Sequence, residues 1–117
     1  MLDAHAYVKA GASLGVPCGL EISQSGRGAH VWTFFTSPVP AADARAMGTA
    51  CIHRAMALRG SMPLASYDRL FPNQDTVPTG SSGVGNLIAA PLNGNRRTER
   101  GTTLFVDLAT WEPWPDQ

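Results

Sequence analysis

The chain has 117 residues, nine Lys and Arg against nine Asp and Glu, and a formal net charge of zero. That length allows one domain with a core that needs no disulfide, and the balanced charge excludes grip on nucleic acid through a strong overall positive field, leaving only local patches. Cys18 and Cys51 are too few and too far apart for a metal-ligand pattern and are expected as free thiols, while the short apolar runs exclude a bilayer span and point to a soluble, cytoplasmic setting.

Apolar residues from Leu2 to Leu14 recur near helical spacing, and Gly15-Val16-Pro17 closes that segment, so the first element is a short helix. Gly19-Leu20-Glu21-Ile22-Ser23 alternates in polarity, and His30 to Phe35 is rich in β-branched and aromatic residues. The two read as a hairpin. Trp32 and Phe34 share one strand face and are expected in the core rather than as a base-stacking platform. Thr36 to Pro40 leads into a second helix from about Ala41 to Leu58, ended by Gly60. Thr76 to Gly85 reads as a mobile loop, Asn86 to Leu92 and Thr103 to Leu108 as strands, and Asn93 to Gly101 as a polar turn carrying Arg96, Arg97 and Arg100. This order predicts a single α+β domain over 1–117, with a mainly antiparallel sheet flanked by two helices. Trp111 and Trp114 in the last segment form an exposed apolar tail, expected to pack on the same domain, a following domain or a partner.

The chemistry concentrates at the hairpin turn. Glycines at 26 and 28 permit positive φ and close approach of backbone N–H groups to an anion, and Arg27 adds a fork of donors. Ser25 contributes a hydroxyl, and His30 an imidazole at the start of the second strand. Taken alone, such a turn is as common in hairpins without a ligand. Eight of the nine basic residues are arginine, which suits bidentate phosphate contacts and equally follows from GC-rich coding. Glu21 lies just before the turn, and alternation leaves open which face of the strand it takes.

A second segment, Ser66-Tyr67-Asp68-Arg69-Leu70-Phe71-Pro72-Asn73-Gln74-Asp75, is followed by Gly85-Asn86-Leu87-Ile88-Ala89-Ala90-Pro91-Leu92. Together with Ser25-Gly26-Arg27-Gly28-Ala29-His30-Val31-Trp32, it resembles the archaeo-eukaryotic primase superfamily, and in particular the primase-polymerase domain of TOTE conflict systems. The resemblance spans Gly15 to Gln117. It implies an RRM-like catalytic sheet that binds a nucleoside triphosphate with Mg²⁺ or Mn²⁺ and makes or extends a primer on a DNA or RNA template. It assigns His30 and Asp68 to catalysis, and Ser25, Gly26, Arg27, Gly28, His30, Arg69, Asn73 and Asn86 to the triphosphate. Asp68 and its rival Asp75 are the candidate metal carboxylates, because nucleotidyl transfer uses hard cations held by oxygen ligands.

The family's first metal motif, two acidic residues separated by one, is missing: no two of Asp3, Asp43, Asp68, Asp75, Asp107, Asp116, Glu21, Glu99 and Glu112 are so spaced. Without that charge a site has little to draw Mg²⁺ from its hydration shell. The expectation is therefore a partial catalytic domain, truncated at both ends and inactive alone. It would be completed by missing domain parts, a helicase or nuclease module, or a partner chain. The alternatives are a non-catalytic nucleotide or single-strand binding module and a packing subunit without a ligand.

Overall fold

The computed structural model describes residues 1–63, 69–79, 87–99 and 101–117. Helix α1 spans Leu2–Ser13, with Asp3 in its first turn, where a carboxylate meets the positive end of the helix dipole. It stops because Gly15 takes a φ of +75° and the Val16 amide turns back to the Gly11 carbonyl at 2.8 Å. Helix α2 spans Ala41–Arg59 behind Pro40, with Asp43 in the first turn and Arg59 in the last. Gly60 ends it at a φ of +76°.

The helices pack through small side chains. Ala6 and Ala10 of α1 meet Ala55 of α2 in one buried cluster, so the backbones approach closely and polar groups at the margin can pair. The Tyr7 hydroxyl donates to the Gly48 carbonyl at 3.3 Å, and Asp3 lies 2.9 Å from Arg59 Nε. Cys51 is buried on the same helix and Cys18 half-buried, both as free thiols. Burial pushes the Cys51 thiol up, and the nearby Cys18 adds to the shift.

Strands β1 (Gly19–Ile22), β2 (Ala29–Trp32) and β3 (Phe105–Val106) form an antiparallel sheet in the order β2-β1-β3. Leu20, Ile22 and Val106 bury one face against Val8 of α1. This is the α+β fold expected, with both helices and the hairpin where predicted, except that the second strand, expected over His30 to Phe35, ends at Trp32.

Three further local expectations change. Residues 87–92 form no strand: Leu87 is 81% exposed, and Leu92 turns with a φ of +60°. Thr103 has a φ of +64°, which no strand residue adopts, so the strand expected over Thr103 to Leu108 shrinks to Phe105–Val106. Phe34 is 68% exposed rather than in the core, stacked on Trp32 with ring centroids 6.2 Å apart. The aromatic tail folds back on its own domain. Trp114 stacks on Phe105 at 5.3 Å and its amide donates to the Phe105 carbonyl at 3.0 Å, while Trp111 meets His5 at 5.8 Å.

Candidate nucleotide site

The hairpin register places Glu21 directly opposite His30, with the Gly19–Trp32 pair two residues along on the same side. Glu21 is 1% exposed, although a buried carboxylate is costly unless donors compensate it. Two do so. Trp32 Nε1 donates to Glu21 Oε2 at 2.6 Å, and His30 Nδ1 lies 3.2 Å from the same oxygen. An ionised carboxylate only accepts, so this contact is a hydrogen bond when the ring carries a proton on Nδ1. His30 and Trp32 also meet edge to face at 6.4 Å.

His30 lines a cleft of about 450 Å³ between β2 and the two helices, together with Asp3, Tyr7, Met47 and Arg69. Its walls are mostly apolar, so the few polar groups are conspicuous as orienting contacts. Arg69 stands at this cleft, exposed. Asn73 and Asp75 lie in a neighbouring hollow of about 230 Å³, and Phe71 and Pro72 line both spaces. The Asp75 carboxylate pairs with Arg45 of α2.

The turn between the strands satisfies its own backbone. Gly26 N–H donates to the Ser23 carbonyl at 2.8 Å, Arg27 N–H to Ser25 Oγ at 3.2 Å and Gly28 N–H to Ser23 Oγ at 3.2 Å. Gly26 has a φ of +69°, as the turn chemistry required. An anion at this turn would therefore meet the exposed Arg27 side chain first, and would reach the amides only by displacing the serine hydroxyls.

Of the residues singled out in the sequence, the structure brings His30 and Arg69 to one cleft. Ser25, Gly26, Arg27 and Gly28 stand in the hairpin turn, and Asn73 and Asp75 in the second hollow. Asp68 and Asn86 lie outside the described residues. Two acids carry more weight than the sequence suggested. Asp3 reaches the cleft from α1, and Glu21 is the buried partner of His30. The second was within reach of pattern reasoning: counting back from a turn closed by Ile22 and Ala29 sets Glu21 across from His30.

A metal has little to hold it among the described residues. No three His, Cys, Asp or Glu side chains come together there. Asp75 and Asp3 each sit on a guanidinium, of Arg45 and Arg59, and a divalent cation would have to displace that positive charge.

Fold and site together define an α+β domain built around a strand histidine held by a buried carboxylate at the rim of an apolar cleft. Within that class, the family model of the Archaeo-Eukaryotic Primase domain of the TOTE conflict system matches residues 1–117, and the chain belongs to that family. The family is one of primase-like nucleotidyltransferases, which bind nucleotides and nucleic acid and generally use divalent metals. No curated protein and no solved structure matches the chain. Among the described residues no helix is long and apolar enough to cross a membrane.

Proposed function

We propose that this domain carries the triphosphate-binding part of a primase-polymerase site and does not complete a catalytic cycle alone. The observation that carries the reading is His30, with Nδ1 engaged by Glu21, at the same cleft as Arg69. His30 and Arg69 would take the phosphate oxygens, with Arg27 guiding the anion from the hairpin turn and Asn73 and Asn86 contacting the nucleotide. Asp68 and Asp75 are the carboxylates proposed for Mg²⁺ or Mn²⁺, and Asp75 would first have to leave Arg45. The absent pair of acids one residue apart argues that strong metal binding needs groups from outside these residues. The chemistry of primer synthesis then belongs to an assembly of this domain with a partner and a DNA template-primer. Fixed donors for a triphosphate can act without the metals, because they bind and orient charge rather than activate a hydroxyl.

Calorimetric titration of the purified chain with dATP, with and without Mn²⁺, beside His30→Ala, tests this reading. Binding that Mn²⁺ strengthens and His30→Ala removes is the expected outcome. Primer extension by the pure chain, abolished by His30→Ala, would overturn the claim of inactivity. The pairing of Asp75 with Arg45 favours one second reading, a non-catalytic nucleotide or single-strand binding module. Saturable binding indifferent to Mn²⁺ would select it.

A further inference from the structure

We propose that Glu21 is the positioning residue of the site: it fixes the tautomer and orientation of His30, while Trp32 holds Glu21 in place. The inference rests on the reading that His30 meets the nucleotide, but its structural half stands without it. Three observations converge. Glu21 is 1% exposed in a strand whose other buried residues, Leu20 and Ile22, are aliphatic. Both donors that reach it come from β2, the strand paired with its own. Both also use one oxygen, Oε2, so moving the carboxylate for one would disturb the other.

A buried charge set opposite an imidazole is a poor way to stabilise a sheet, since an apolar pair of similar size would cost nothing in desolvation. It is an effective way to choose which ring nitrogen carries the proton. With Nδ1–H committed to Glu21, a neutral His30 offers Nε2 as an acceptor. After proton uptake, the same Nε2 becomes a donor to a phosphate oxygen, and Nδ1–H stays on Glu21 in both states. The ring therefore changes its role toward a ligand without turning over. Trp32 contributes by geometry. Its indole has one N–H, which can only donate, and at 2.6 Å it clamps the carboxylate.

The test is the tautomer itself. Long-range ¹H–¹⁵N spectra of the histidine rings at about pH 8, where an ordinary imidazole is neutral, should show His30 protonated on Nδ1 in the wild-type chain. Glu21→Leu should shift the proton to Nε2, the usual preference of a free imidazole, whereas Glu21→Gln, which keeps an acceptor oxygen, should retain Nδ1–H. In dATP titrations Glu21→Leu should weaken binding about tenfold, as loss of such a supporting partner does elsewhere. The double variant with His30→Ala should be no weaker than His30→Ala alone. A wild-type ring protonated on Nε2 overturns the proposal without any variant having to fold. So does Nδ1–H that persists in a folded Glu21→Leu chain. If the tautomer follows Glu21 while dATP binds none of the proteins, the positioning is upheld and the nucleotide reading fails.

Discussion

The two faces of the small sheet are built on opposite principles. One buries Leu20, Ile22 and Val106 against Val8 of α1, contacts that any well-sized aliphatic set could supply. The other buries Glu21 beneath His30 and Trp32, where a single oxygen must satisfy two donors. Burial on the first face is favourable by itself and needs no particular partner. On the second, burial of the carboxylate is favourable only while both partners remain.

Removing a core aliphatic gives the largest expected effect. Leu20→Ala should cost about 3 kcal/mol by leaving a cavity in the apolar face, read as a fall in the urea midpoint with little change at the His30 ring. Next, Trp32→Phe should cost about 2 kcal/mol, because it takes a donor from a buried carboxylate. Combining it with Glu21→Leu should return part of that loss, since donor and acceptor then leave together. No recovery in the double variant's unfolding curve would mean the two faces do not differ as described.

Smaller effects sit at the edges of the contrast. Gly26→Ala should cost about 1 kcal/mol, because a φ of +69° strains any L-residue, and chemical denaturation would register it. The smallest belongs to Asp107, whose carboxylate accepts from the amides of Thr110 and Ala109 and is held below the usual carboxylate range by those bonds. Its folded-state pKa is depressed, so its contribution is present above the ordinary aspartate pKa and is lost as pH falls through the lower folded value. Asp107→Asn should flatten that acid limb of stability, measured by thermal unfolding across pH.

Much of the frame was legible in the sequence. Gly15, Gly26 and Gly60 mark chain reversals by a mechanism that residue type reveals, whereas Gly28 needs no positive φ. The shortened third strand was not, because Leu92 and Thr103 take positive φ without being glycine, and no pattern in side-chain type announces that. Phe34 was misplaced for a related reason: an aromatic on a strand reads as buried, yet here it lies over Trp32 and Phe105 on the outside of the polar face. At the site, His30 and Arg69 could be named from local motifs. Glu21 could be paired with His30 by counting back from the turn, but its burial could not be read, since a charged strand residue ordinarily turns to water.

The Gln117 side chain has a consequence for the edge of the sheet. The Gln117 side chain accepts from the Phe105 amide at 2.8 Å and donates to the Phe105 carbonyl at 2.9 Å, and Pro113 bridges Val106. A carboxamide thereby imitates a neighbouring peptide and closes the outer edge of β3. Among the described residues no strand pairs with the outer edge of β2. The unpaired edge among the described strands is therefore that of the strand which carries His30.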